Sequence, residues 1–488
     1  MKMVEDFDTL MEEILPIIKE YYVECGRPKT TKMNQFALPK EIIQELGTIG
    51  KEGQSIDECI NTFRTTLKYS LKTMHPFFMD KLYAGSDPIG QVSELLSSIL
   101  NTHTHVYHVA PVLSVMEVEC IKIFGRQFGF DEKTVDGTMN PGGTMSNMMA
   151  FLAARHEHFP HVRKEGWKPE DKPVAFTSVQ SHYSVSRAAM VSGMGMNNLV
   201  YIPCDRDTGV MIPEKLDEAI QKEIDNGRKP FFVNALAGST VMGGFDDQEA
   251  ISKICKKYGI WHHIDACWGG FLIFSEKHKH LFKGAEHADS LAVNPHKGLG
   301  VPTQCSILMT NNKDDALRKS NHSGAEYLFH ETEYSRYDIG DKTLSCGRKG
   351  DGLKLWMSLK RHGLEGFAKL ADYAMEKSAY ITEQIKKQPE KFTMVNKPMG
   401  TNICFWYIPP AFRGKEYTNS QKANVHKLIF ERFQQQGTML IQHNPLAEHD
   451  LPNFLRLTLK GEKSTIEDMD YILEEIDRLG QDIDATMV

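Results

Sequence analysis

Between residues 173 and 310 the chain alternates short β-branched and aromatic runs with helix-patterned stretches, and this alternation constrains the fold more than any other feature. The runs are "PVAFTS", "NLVYIP", "PFFVNAL", "GIWHHID", "SLAVNPH" and "CSILMT"; amphipathic segments such as "PEKLDEAIQKEI" and "DQEAISKICKKY" separate them. Strand–helix alternation of this kind specifies an α/β, mostly parallel sheet. The runs are apolar at consecutive positions, so both faces of the sheet are expected to be covered. In such open sheets ligands collect beyond the carboxyl ends of the strands, which makes the residues following each run the first candidates for chemistry.

The flanks differ from this region. At 488 residues the chain exceeds what one core ordinarily serves, and three parts are expected: an N-terminal helical segment over 1–88, a large α/β domain over 89–349 and a small C-terminal α+β domain over 350–488. The last of these carries the strand-like runs "TNICFWYI" and "NFLRLTL". The 57 Lys plus Arg are interspersed with 64 Asp plus Glu, giving a net charge of −7 and no basic block to meet a phosphate backbone, so no nucleic-acid partner is expected. Nine scattered cysteines without a C-x-x-C pair suggest neither a disulfide framework nor a zinc site. The acidic start "MKMVEDFDTL" has no leader pattern and no apolar run is long enough for a bilayer, so a cytoplasmic protein with no membrane partner is expected.

The strand ends carry complementary groups. "GIWHHID" ends on Asp265 and the small residues "ACWGG" follow; "SLAVN" leads to His296 and Lys297 in "NPHKGLG". A buried carboxylate suits a protonated ring nitrogen, and an amine held out of water is the nucleophile that forms a Schiff base. Together they suit pyridoxal phosphate, whose pyridine ring wants an anion and whose aldehyde wants an amine. A phosphate cradle is available in "NPGGTMSNMMAFLAARH", where Gly142-Gly143 makes a turn and Thr144 opens a helix whose free N–H groups face an anion. Ser239, Thr240 and His296 add donors, and His182 in "SHYSVSRAA" stands at another strand end, able to lie on a ring face. Alone, Lys297 reads as a solvated loop lysine and Asp265 as a turn former. Their joint occurrence at successive strand ends is what points to one ligand.

With these residues in view, the chain resembles the group II pyridoxal-phosphate amino-acid decarboxylases, in the branch holding glutamate decarboxylase and cysteine sulfinate or aspartate decarboxylase. The resemblance spans about residues 70–480, through "NPGGTMSNMMA", "FTSVQSHYS", "IWHHIDACWGGF", "ADSLAVNPHKGLGVPTQCS", "YLFH", "GDKTLSCGR", "NICFWYIPP" and "RLGQDI". It implies a fold-type I, aspartate aminotransferase-like architecture, pyridoxal 5'-phosphate as cofactor, and a homodimer whose active sites use both chains, the N-terminal segment serving dimerisation. By the same resemblance Lys297 is the Schiff-base lysine, Asp265 the partner of the pyridine nitrogen and His182 the residue stacked on the ring. Gly143, Thr144, Ser239, Asn294 and His296 lie about the phosphate, and Arg456 in "NFLRLTL" holds the substrate carboxylate. The catalytic proton donor is a loop tyrosine, Tyr334 in "YLFHETEYSRYDIGDK", with Tyr337 its rival.

The substrate segments "FFMDKLYAGSD" and "LNTHTHVYHVAP" depart from the animal glutamate enzymes, with Lys81 in place of a glutamine and Tyr83 in place of a small hydroxyl residue. Lys81, His103 and His105 suit a second acidic group on the substrate. His103 and His105 share one face of a strand-like stretch without a carboxylate neighbour, so no metal is expected. An acidic amino acid is therefore the expected substrate: glutamate is placed marginally before cysteine sulfinate and aspartate, although a bulky Tyr83 favours the shorter acids. Two alternatives are an enzyme of aromatic or aldehyde-forming specificity and a catalytically silent relative acting by interaction.

Overall fold

The computed structural model describes residues 2–461 and 463–488. The N-terminal part is helical: α1 spans Lys2–Cys25, α2 Pro39–Leu46 and α3 Ile56–Tyr69. The start of α3 is fixed by a capping box, in which the Ser55 hydroxyl accepts from the Glu58 amide and the Glu58 carboxylate accepts from the Ser55 amide. Helices α4 (Pro88–Leu100) and α5 (Pro111–Gln127) follow. For α4, Asp87 accepts from the Ile89 amide at 3.0 Å and Pro88 presets the first turn.

Seven strands, β1 (Asp136–Asn140), β2 (Pro173–Ser178), β3 (Leu199–Ile202), β4 (Lys229–Leu236), β5 (Trp261–Ala266), β6 (Ser290–Val293) and β7 (Ser306–Thr310), form one sheet in the order β1-β7-β6-β5-β4-β2-β3. All neighbours are parallel except β7, which runs against both β1 and β6. Helix α6 (Gly143–His158) covers one face, where Met149, Phe151 and Ala154 pack on Ala175, Phe232 and Trp261. Two helices, Pro213–Asp225 and Gln248–Tyr258, cover the other, where Leu216, Ile220 and Ile251 meet Val174, Phe176 and Val233. Successive strand residues thus enter opposite cores, which is why these strands are apolar at every position. Each large side chain so buried contributes roughly 2–3 kcal/mol.

The six expected strands are those of the sheet, in the α/β, mostly parallel arrangement anticipated. Strand β1 was not expected, because "DGTMN" has weak strand composition; it forms by antiparallel pairing with β7, Thr138 opposite Leu308. One expectation is corrected. The stretch holding His103 and His105 is an irregular loop ending in a short 3₁₀ turn, Tyr107–Val109, instead of a strand. Among the described residues no ladder partner lies beside it. Its backbone is instead tied by Thr104 N to Arg348 O (3.0 Å), Gly340 N to His105 O (2.8 Å) and Tyr107 N to the Asp338 carboxylate (2.8 Å).

Beyond β7 a long helical stretch, Gly352–Lys386, breaks at Gly363, whose φ of +63° few other residues would accept, and packs against both α4 and α5. Strands β8 (Phe392–Met394), β9 (Asn402–Tyr407), β10 (Gln442–Leu446) and β11 (Leu451–Thr458) form an antiparallel sheet ordered β10-β11-β9-β8. Residues Phe77–Met79 join its edge, Met79 N to Leu440 O at 2.9 Å and Thr458 N to Met79 O at 3.2 Å, and their side chains enter the same core as Phe405, Leu455 and Ile472. That docking brings the "DKLY" segment beside Arg456. Among the described residues no helix is long and apolar enough to cross a membrane.

Candidate active site

A cavity of about 210 Å³ lies beyond the carboxyl ends of β2, β4, β5 and β6, closed at one side by the start of α6. Its lining includes Gly143, Thr144, His182, Ser239, Thr240, Asp265, Asn294, His296 and Lys297, nine residues singled out from the sequence.

Asp265, the fifth residue of β5, is 7% exposed. Its Oδ1 accepts from the Cys267 amide at 3.0 Å and its Oδ2 from the Asn147 side-chain amide at 2.8 Å. Burial pushes this carboxyl up, but Lys297, the Cys267 donors and His182 together outweigh it and hold the group below the ordinary carboxylate range. A buried anion is thereby held ready at the wall of the cavity. Lys297 follows β6 on a tight turn, its amide bonded to Asn294 O at 3.0 Å, and is half-buried.

His182 begins the loop into the helix Ser184–Val191, and its Nδ1 accepts from the Ser184 amide at 3.2 Å. Burial lowers its imidazole, with Asp265 opposing and Lys297 assisting, so the neutral ring carries its proton on Nε2. His296 Nδ1 sits 2.5 Å from Cys305 O, and burial takes its imidazole down to about 4. Ser239 Oγ accepts from the Gly244 amide at 3.0 Å, which leaves its own proton for a ligand. At the head of α6, Met145 and Ser146 already donate to Gly142 O, whereas the amides of Gly143 and Thr144 precede any intrahelical acceptor.

Arg456, on β11, stands behind Thr240: Nη1 donates to Thr240 O at 2.8 Å and Nη2 to Asp80 O at 3.0 Å. Among the described residues its Nε is buried without a partner, as is Oδ1 of Asp80. Lys81 pairs with Asp80 at 2.9 Å and donates to Gln442 Oε1 at 3.1 Å, and Arg456 Nη2 reaches the same oxygen at 3.3 Å. Tyr83 is partly exposed and packs on Phe78, ring centroids 5.9 Å apart. Gln442 was not foreseen; its signal is the register of β10, which sets it directly opposite Arg456.

Four expected site residues gather elsewhere. His103 and His105 lie edge to face at 5.9 Å, and Tyr107 stacks on Tyr334 at 5.0 Å and tilts against Tyr337 at 5.6 Å. None of them lines the cavity of Lys297. Tyr334 is 46% exposed on the surface of this group.

Comparison with known proteins agrees with this geometry. Residues 39–408 match the family model described as the pyridoxal-dependent decarboxylase conserved domain. The chain is 34% identical over 484 residues to cysteine sulfinic acid decarboxylase of Homo sapiens, covering 98% of this chain and 97% of that one. It superposes on the crystal structure of mouse CSAD with a TM-score of 0.92 at 34% identity, covering 98% and 99% of the two chains. Oryza sativa TDC, solved with PLP and tryptamine, shares the fold with a TM-score of 0.88 at 19% identity, covering 98% of each.

The residues present fit pyridoxal phosphate. A Cβ built on Gly143 would lie 2.6 Å from Cys267 Sγ and 3.1 Å from Asn294 Nδ2, so only bare backbone fits where the helix start faces the cavity. Asn294 Oδ1 is buried there without a partner. Acid, amine and anion cradle thus occupy three sides of one space. Gly143→Ala sets a methyl group against Cys267 Sγ within the protein itself, so it is expected to lower the melting temperature of the cofactor-free protein as well as to weaken cofactor binding at least tenfold, measured by calorimetry and titration. Unaltered affinity would contradict the cradle.

Proposed function

The chain belongs to the pyridoxal-dependent decarboxylase family, and on that premise we propose that it removes the α-carboxylate of a small acidic L-amino acid as carbon dioxide, with cysteine sulfinate ahead of aspartate and glutamate. The observation that carries this reading is that a buried Asp265 and Lys297 line one cavity, which is backed by a buried arginine. Sequence motifs alone set glutamate marginally first. The 34% identity to the human cysteine sulfinic acid decarboxylase supports placing cysteine sulfinate first instead, and the bulk of Tyr83 favours the same direction.

Bound pyridoxal phosphate supplies an aldehyde for the substrate amine and a ring that takes up the electron pair left when carbon dioxide departs. The chain's own residues do the rest. Lys297 would hold the cofactor through its side-chain amine. Asp265 would keep the ring nitrogen protonated by accepting its N–H, and loss of that electrostatic contact is expected to cost about 3–4 kcal/mol of transition-state stabilisation, the scale of one preorganised interaction. His182 would lie against the ring face, and Gly143, Thr144, Ser239, Asn294 and His296 would hold the phosphate. Arg456, with an unused Nε donor, takes the substrate carboxylate. Lys81, held at Gln442 close by, receives the second acidic group.

The proton returned to the α-carbon comes from Tyr334, with Tyr337 the alternative, and this step calls for a second copy of the chain. The tyrosines and the His103–His105 pair share one docked group outside the cavity. Helices α4 and α5 expose Val92 (63%), Ile99 (59%) and Val112 (62%), an apolar surface that a homodimer would cover. All nine cysteines are unpaired, which suits a cytoplasmic location that cell fractionation can check.

Carbon dioxide release from cysteine sulfinate, aspartate and glutamate, with tyrosine and tryptophan as controls, tests the substrate. The expected result is a kcat/KM for cysteine sulfinate at least tenfold above that for glutamate, narrowed in Tyr83→Ser because one methylene is worth only about 1–3 kcal/mol in discrimination. Turnover confined to the aromatic controls would overturn it. For the shared site, Lys297→Ala and Tyr334→Phe are each expected to be inactive alone. Co-expressed, they should recover up to a quarter of wild-type activity, since only one of the two sites in a mixed dimer is intact; no recovery in isolated mixed dimers would contradict a tyrosine supplied in trans.

A further inference from the structure

Behind Asp265 a single file of buried polar side chains crosses the sheet. Trp261, His263 and Asp265 alternate along β5 and therefore face the same side, toward α6. Ser290, the first residue of β6, lies opposite His263 in register. Trp261 Nε1 is 2.8 Å from Ser290 Oγ, Ser290 Oγ is 2.8 Å from His263 Nδ1, His263 Nε2 is 3.1 Å from Asn147 Oδ1, and Asn147 Nδ2 is 2.8 Å from Asp265 Oδ2. A side branch runs from Asn147 Nδ2 to Ser184 Oγ at 2.9 Å. Trp261, Asn147, His263 and Ser290 are each 2% exposed or less.

The direction of every proton in this file follows from its two ends. An indole nitrogen only donates and an ionised carboxylate only accepts. Asp265 therefore turns the NH₂ of Asn147 toward itself, which turns the Asn147 oxygen toward His263. That oxygen can only accept, so His263 carries its proton on Nε2. His263 Nδ1 is left as an acceptor for the Ser290 hydroxyl proton, and the Ser290 oxygen is left to accept from Trp261. No donor faces a donor and no ring nitrogen is spare. Burial brings the His263 imidazole down to about 4, so it is neutral and able to fill this role at pH 7. In a low-dielectric interior such a chain is cooperative, each bond polarising the next toward the carboxylate.

We propose that Asn147, His263, Ser290 and Trp261 form a one-way hydrogen-bond relay that orients the Asp265 carboxylate toward the cofactor ring and keeps it anionic, making Asn147 and His263 positioning residues for the reaction. The inference rests on the reading that Asp265 faces the ring nitrogen, and adds to it what holds the carboxylate in place. Neither residue lies in a catalytic position by sequence motif: Asn147 is one turn into α6 and His263 is in mid-strand.

The test compares Asn147→Leu, His263→Leu, His263→Gln and Asp265→Asn in the cofactor-loaded enzyme, with two readouts: kcat and KM, and the ¹⁵N shift of the ring nitrogen in labelled cofactor, which reports its protonation. Both leucine variants are expected to lower kcat at least tenfold with KM changed less than threefold, and to move the ring ¹⁵N signal in the direction that Asp265→Asn moves it. His263→Gln keeps a donor toward Asn147 and is expected to recover most of the signal. In an Asp265→Asn background, Asn147→Leu should add less than a further twofold loss. Ring signals at the wild-type position in both leucine variants would overturn the relay, even if kcat fell. A wild-type signal in Asp265→Asn would overturn the assignment of Asp265 itself, and the relay with it. Should the leucine variants not fold, ¹⁵N-histidine spectra of the wild type decide: a neutral Nε2–H tautomer for His263 at pH 7 is expected, and an Nδ1–H or doubly protonated ring would refute the relay.

Discussion

The burial of one carboxylate governs how the rest of this molecule is built. Moving an ion from water into a protein interior costs several kcal/mol even after relaxation, so Asp265 can stay charged only where donors and an opposing amine already stand. The carboxyl ends of parallel strands provide such a place. There the chain leaves the ladder, the Cys267 amide turns back to Asp265 Oδ1, α6 brings Asn147 to Oδ2, and the turn after β6 carries Lys297. The two apolar cores that clamp the sheet, one against α6 and one against the helices Pro213–Asp225 and Gln248–Tyr258, hold these three elements in fixed relation.

The smaller sheet is joined to this site through buried side chains. Asn402, at the head of β9, accepts from Trp268 Nε1 at 2.6 Å and donates to Thr240 O and Val241 O at 3.0 Å, so one residue ties the loop that carries Ser239 and Thr240 to the segment that follows β5. Arg456 reaches Thr240 O from the neighbouring strand. A shift of the small sheet would therefore move Arg456 and the cavity wall together. Positioning of this kind is what sets reacting atoms within productive reach.

Much of this was legible in the sequence, for physical reasons that differ by residue. The strands at 173–178, 229–236 and 261–266 stand out because burial on both faces demands apolar residues throughout, and Asp265 and Lys297 stand out because charge is foreign to such surroundings. Strand β1 did not, since its residues have little strand preference and its existence depends on β7, far away in the chain. The loop at His103 reads as strand in the sequence because alternating polar residues mimic a half-exposed strand, and only the tertiary ties to Arg348, Asp338 and Gly340 decide otherwise. Gln442, Asn147 and His263 escaped for a third reason: a polar residue inside a strand or helix gains meaning only from its partner across the fold. In "WHHID" the hint was present, as Trp, His and Asp two apart on one face of a buried strand must find polar partners or not be there.

The central claim is that the Lys297 amine, facing the buried Asp265, is the covalent anchor of the cofactor. Borohydride reduction of the pyridoxal-phosphate-loaded protein, followed by proteolysis and mass spectrometry, tests it directly. The pyridoxyl group is predicted on the peptide containing Lys297 and on no other lysine. Its appearance on Lys81, Lys460 or Lys463, or the absence of any labelled peptide from a fully loaded sample, would contradict the account.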